Sequence, residues 1–209
     1  MTADLVAGAA LVPVAVLSLR LVREPRQIPF AALPAVFATH QLIESLVWGG
    51  HDGRVGSDLA HAAAVAYVLI ALPLLPALVP VAVLLVAPAE RRRPMLPFVV
   101  LGMVVAGYLA YSVLDGMVGV VPHEHALEYD IGVTNGLVWA WLYVIAVIGP
   151  PLLSGTRYVV AFGVVNLIGL IVVAFAYVEA FASLWCVYAA LSSVLVLAQL
   201  HQRRPVAVR

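Results

Sequence analysis

The sequence predicts an all-α integral membrane protein, a bundle of seven transmembrane helices with its N-terminus outside and its C-terminus in the cytoplasm. Two observations carry this. The chain is 64% hydrophobic with a mean hydropathy of +1.07, well above the apolar share of a soluble domain. Its basic residues are also grouped, and the groups alternate with long apolar stretches. Arg20, Arg23 and Arg26 form one group, Arg91, Arg92 and Arg93 a second, Arg157 a third, and Arg203, Arg204 and Arg209 a fourth. Lysine is absent, and Arg54 is the exception. Basic residues beside transmembrane helices stay on the cytoplasmic side, so four groups separated by pairs of spans set the topology.

A single domain over residues 1–209 follows from length, since 209 residues leave no room for a second globular unit beside seven spans. Formal net charge is zero, which gives no basis for a nucleic-acid partner. Cys186 is the only cysteine, so no internal disulfide forms. The first apolar stretch has Asp4 ahead of it and its arginines behind it, the pattern of a retained first helix rather than a cleaved signal peptide.

A hydrocarbon core of ~30 Å needs roughly 20 helical residues. On that scale the spans cover 5–21, then 28–48 ending at Gly49-Gly50, then 59–86. The third contains Pro73, Pro76 and Pro80 and is expected to be kinked or tilted. The fourth covers 96–115, the fifth 131–148 with a stop at Pro150-Pro151, the sixth 158–176 and the seventh 179–200. The pattern suits a multi-pass protein of the plasma membrane in contact with lipid.

Ionisable residues inside apolar spans are costly and mark function by default. His40, Gln41, Glu44 and Trp48 fall on one side of the second helix. Tyr108, Tyr111, Ser112 and Asp115 share a face of the fourth, and Asn135, Trp139 and Tyr143 follow one another at steps of four on the fifth. Glu179 opens the seventh, ahead of Ser183, Trp185 and Cys186. The topology puts Glu44, Asp115, Asn135 and Glu179 in the outer half of the bilayer, and a shared cavity opening outward is the economical reading. Asp115 and Glu179 are also close enough to helix ends to be solvated interfacial groups. The tryptophans fit an ordinary interfacial belt as well, and Tyr108 and Tyr143 fit core packing.

Between the fourth and fifth spans stand His123-Glu124-His125, Glu128, Tyr129 and Asp130. His-x-His beside acids can bind a divalent metal, but a solvated loop or lid is the expectation here. Walker A, G-x-G-x-x-G, G-x-S-x-G and H-E-x-x-H motifs are absent, as are the aspartate-rich motifs of soluble terpene synthases.

Burial among apolar walls disfavours the ionised form of a carboxyl group, which then keeps its proton and can serve as a general acid. Aromatic faces stabilise cations by ~0.5–2 kcal/mol each. An acid set in a dry aromatic cage meets the requirement for carbocation cyclisation of an isoprenoid, with no metal or cofactor needed. In size, span number and the helix-two Glu44, the chain resembles the small integral-membrane terpene cyclases of fungal meroterpenoid and actinobacterial indole-sesquiterpene pathways. That resemblance implies catalytic acids on the second and last helices, which by helix order are Glu44 and Glu179. The segments PFAALPAVFATHQLIESLVW and FASLWCVYAALS also resemble a broad group of uncharacterised actinobacterial membrane proteins.

The resulting expectation is a class II-type terpene cyclase acting on a hydrophobic isoprenoid-like molecule. Glu44 or Asp115 protonates an alkene or epoxide, the remaining acids including Glu179 orient it or take the last proton, and His40, Gln41, Trp48, Tyr108, Tyr111, Asn135, Trp139 and Trp185 line the path. Two other classes stay open. One is a seven-helix metal-dependent lipid hydrolase similar to alkaline ceramidases. The other is a non-enzymatic receptor or carrier in which Glu44 and Asp115 hold a cationic ligand.

Overall fold

A computed structural model describes residues 2–123, 127–176, 188, 190 and 192–202. The described chain is almost wholly helical. Helix α1 spans Thr2–Arg20 and is followed by the turns Pro25–Gln27 and Ile28–Ala31. Helix α2 spans Leu33–His51, α3 Ser57–Leu69 and α4 Leu75–Val86. Beyond the turns at Ala89–Arg92 and Arg93–Met95 come α5, Leu96–Asp115, α6, Gly136–Leu153, and α7, Arg157–Ala176. Val194–Gln202 forms α8, the described part of the expected seventh span.

Five of these helical stretches are long and apolar enough to cross a bilayer: Pro25–His51, Ser57–Val86, Ala89–Asp115, Gly136–Leu153 and Arg157–Phe175. Their outer faces carry large apolar side chains in the open, among them Met103, Val104, Leu137, Trp141, Ile171 and Phe175. Helix α1 does the same with Leu5, Val6 and Leu17. Apolar surface on this scale suits lipid rather than water, and the chain has the build of a membrane protein. Inside lipid, helices are favoured because they satisfy their own backbone groups.

Three expectations about helix ends are corrected. Helix α2 does not stop at Gly49-Gly50 but runs through the pair to His51. A Cβ at Gly50 would fall on the Ala60 side chain, so this glycine lets α2 and α3 approach closely. Likewise Pro150 and Pro151 lie inside the last turn of α6. The fifth span also begins later than expected, since Asn135 stands just before it with left-handed backbone, φ 57° and ψ 41°.

The third span breaks where its prolines fall. Ile70–Leu74 is a π-helical turn containing Pro73. There the Leu75 N–H bonds back to the Ile70 carbonyl, and Pro76 has no N–H to offer, so the Ala71 carbonyl lacks a backbone donor. The Tyr143 hydroxyl of α6 donates to it at 2.7 Å.

The core has two parts. The larger joins Phe30, Leu33 and Phe37 to Val79 and Val83 of α4, Val105 and Leu109 of α5, and Tyr143 and Val147 of α6. The smaller joins Val47, Ala63, Ala64, Tyr67, Val68 and Ala71 to Val113, Val118 and Leu127. The last two flank or belong to a two-stranded antiparallel hairpin, β1 Gly119–Pro122 and β2 Leu127–Asp130. The sequence leads one to expect a solvated loop or lid here, and the strand pairing is the part it does not announce. The alternation that buries Leu127 while Asp130 is exposed gives the segment an apolar side to seat on the helices.

Two substitutions probe this packing. A Cβ on Gly102 of α5 would meet the Pro76 carbonyl oxygen. Gly102→Ala gains up to about 1 kcal/mol of helix propensity, but overpacking against backbone costs about 1–3 kcal/mol, so thermal stability in detergent should fall. Tyr143→Phe should cost about 0.6–2 kcal/mol, the range for interhelical hydrogen bonds in membranes, read as a lower melting temperature.

Candidate functional site

The polar face expected around Glu44 is deeply buried. His40 is 1% exposed, and Gln41 and Glu44 are 0% exposed. They lie one turn or less apart on α2, where α1 and α3 pack on either side. His40 Nε2 meets the Tyr67 carbonyl oxygen of α3 at 3.2 Å. A carbonyl only accepts, so Nε2 carries the hydrogen and Nδ1 is left as an acceptor. That Nδ1, and both side-chain polar atoms of Gln41, have no hydrogen-bond partner among the described residues. Ser45 Oγ donates to the Leu42 carbonyl at 2.7 Å.

The His40 ring also stacks on Tyr67, centroids 3.8 Å apart, and Tyr67 stacks on Tyr129 of β2 at 4.3 Å. Three rings from α2, α3 and the hairpin thus form a column that ends at the roof of the smaller core. Trp48 is half-buried, edge-on to His51 at 6.2 Å.

A second region is apolar. A cavity of about 350 Å³ lies between the π turn, α5, α6 and α7, lined by Ala71, Leu72, Leu109, Ile131, Trp139, Trp141, Tyr143 and Leu170 among others. Trp139 stacks face to face on Tyr108 at 3.8 Å and 9°, and the Tyr108 hydroxyl donates to the Thr134 carbonyl at 3.2 Å. Nearby, a cleft of about 480 Å³ at the base of the hairpin is lined by Tyr108, Tyr111, Ser112, Asp115, Asp130 and Thr134. The Tyr111 hydroxyl reaches the Asp115 carboxylate there.

The acids expected to share one cavity are therefore separated. Glu44 is enclosed in α2's packed face, whereas Asp115 is exposed in the hairpin cleft. Asn135 is exposed and lines neither space. Helix order places these residues towards the same end of the bundle but does not fix which way each one faces, and Glu44 lies about two turns inside α2 whereas Asp115 ends α5 and Asn135 precedes α6. Of the aromatic expectations, Trp139 lines the apolar cavity, Tyr108 and Tyr111 the cleft, and Trp48 neither. Glu179 and Trp185, with Ser183 and Cys186, lie outside the described residues.

Of the outer-loop pair, His123 Nε2 is hydrogen-bonded across the hairpin to Glu128 at 2.9 Å, while Glu124 and His125 lie outside the described residues. Among the described residues no three His, Cys, Asp or Glu side chains converge as a metal site would need. Sequence reasoning missed Tyr67 and the stacking role of Tyr129, because a tyrosine in an apolar run gives no spacing signal when its partners sit on other elements.

The chain belongs to a family of unknown function (DUF6629), whose pattern matches residues 1–209. No curated protein and no solved structure matches it.

The ring column makes the hairpin's stability depend on Tyr129. Tyr129→Ala removes a stacked contact worth about 0.5–1.5 kcal/mol, so amide exchange in β1 and β2 should quicken while α5 and α6 keep their protection.

Proposed function

We propose that this protein crosses the plasma membrane seven times, N-terminus outside, and starts the cyclisation of an isoprenoid by proton transfer from Glu44. The orientation is supported by charge. The antiparallel succession of helices gathers Arg20, Arg23, Arg26, Arg91, Arg92, Arg93 and Arg157 at one end, where Gly155 abuts Arg91. Asp52, Asp58, Asp115, Glu128 and Asp130 gather at the other. With the arginine end cytoplasmic, Glu44 lies in the outer half.

The observation that carries the chemistry is a carboxyl group at 0% exposure beside His40 and Gln41. A chain of membrane spans keeps such a group only at a cost. In the proposed step the Glu44 O–H bond breaks as its proton adds to an alkene carbon or epoxide oxygen. The resulting carbocation is attacked by the next double bond of the chain, and loss of a proton to a base ends the sequence. Tryptophan and tyrosine faces on the cavity wall stabilise the travelling charge, and exclusion of water protects it. The reading requires the reactive end of the substrate to reach Glu44 past Ala71, which lines the apolar cavity and also belongs to the core cluster of Val47 and Tyr67.

A second reading, a non-enzymatic carrier, is favoured by one feature: among the described residues the apolar cavity has no carboxylate in its lining, which suits an uncharged apolar passenger rather than the cationic ligand that Glu44 and Asp115 would hold. Incubation of purified protein with prenyl substrates in EDTA-containing buffer separates the two. Cyclised product that falls about 10²–10⁴-fold in a stably folded Glu44→Gln variant supports the acid role. Turnover at the wild-type rate in that variant removes Glu44 from the chemistry, and saturable binding without product favours the carrier.

A further inference from the structure

We infer that the cavity bounded by Ala71, Trp139, Trp141, Tyr143, Leu170 and Ala174 is a binding site for the uncharged hydrocarbon chain of a prenyl lipid, which reaches it sideways from the bilayer. The inference deepens the proposed function by naming the site and the route, and it does not depend on Glu44 acting as an acid.

Four observations converge. The space, about 350 Å³, falls in the range of small-molecule pockets. Every described lining residue is apolar or aromatic, and none of them is charged. The one hydroxyl among these residues, Tyr143 Oη, is already committed to the Ala71 carbonyl at 2.7 Å, so a polar guest would find little to bond on them and a hydrocarbon loses nothing. Finally, the lining residues Leu137 and Trp141 are 74% and 62% exposed on a helix of membrane-spanning length. The cavity therefore opens where the surface is apolar, on the side of α6 that faces lipid.

The π turn explains why there is room. The break at Ile70–Leu74 displaces one wall, and α6 is held to the broken helix at Tyr143. Small residues, Ala71, Gly136, Ala140 and Ala174, line the space that larger ones would close. Branched prenyl chains are bulkier per unit length than straight acyl chains, and the aromatic side chains of Trp139, Trp141 and Tyr143 in the lining suit their double bonds.

The test is photolabelling in phosphatidylcholine nanodiscs with a diazirine analogue of farnesol, followed by peptide mapping. Labelling should concentrate on Gly136–Leu153 and on the neighbourhood of Leu170 and Ala174, and unlabelled farnesol should compete it away. Ala174→Leu fills the cavity and should reduce this labelling by about tenfold. Ala140→Phe, at an exposed lining position that tolerates bulk, should do the same if the first variant fails to fold. A diazirine phospholipid should label the outer faces of α1 and α5 as well, unaffected by either substitution. Glu44→Gln should leave farnesol labelling unchanged, so loss of turnover with intact labelling speaks only to the acid. Labelling spread evenly over all lipid-facing helices, or unchanged in the folded cavity-filling variant, overturns the site.

Discussion

The arrangement depends on one constraint: carbonyl groups freed by a broken helix in an apolar interior must find donors. Pro73 and Pro76 each remove a donor from the ladder where the helix from Ser57 to Val86 changes to a π turn, whereas Pro80 is accommodated inside α4. At the break the Ile70 N–H is shared between the Ala66 and Tyr67 carbonyls, and the Leu75 N–H bonds Ile70. The Ala71 carbonyl is the one left without a backbone donor, and Tyr143 reaches it from α6. His40 adds a second bond to the Tyr67 carbonyl from α2. An unsatisfied buried carbonyl costs about 1–3 kcal/mol, so α6 is held to the broken helix by more than shape.

That constraint also sets the division of the interior. The polar groups of α2 pack toward α1 and α3, while the aromatic residues of α6 face the space left on the other side of the π turn. Ala71 belongs to both: its side chain lines the apolar cavity, it joins the cluster of Val47 and Tyr67, and its carbonyl accepts from Tyr143. A bend at Ile70–Leu74 would move both regions together, because His40 and Tyr143 are bonded to carbonyls four residues apart. π turns inside helices recur at functional sites for this reason.

Much of this was legible in the sequence. The alternation of apolar stretches and arginines located the described helices to within about five residues, and Leu96–Asp115 matched at both ends. The three prolines announced the break. The burial of His40, Gln41 and Glu44 followed from their positions within an apolar run. What spacing could not supply was azimuth. Asp115 and Glu44 belong to the same end of the bundle by helix order, yet one meets solvent beside the hairpin and the other is buried on α2, which packs against α1 and α3. Helix periodicity gives a residue's direction relative to its own axis, and the rotation of each axis is decided by packing, as where Gly50 meets Ala60 and Gly102 meets Pro76. The hairpin was equally opaque, because β1 and β2 are four residues each and carry too little pattern to stand out beside a histidine- and acid-rich loop.

The column of His40, Tyr67 and Tyr129 bears on how a sealed polar group could do work. Gln41 and the Nδ1 of His40 have no hydrogen-bond partner among the described residues, and unsatisfied groups at such depth are retained where a guest or water completes them. The ring column continues from His40 through Tyr67 to Tyr129 of β2. Stacked rings hold through area and quadrupole geometry rather than through a ladder of backbone bonds, and a short two-stranded hairpin is marginal by itself. The hairpin therefore depends on what it packs against: Leu127 and Val118 in the smaller core and Tyr129 on Tyr67.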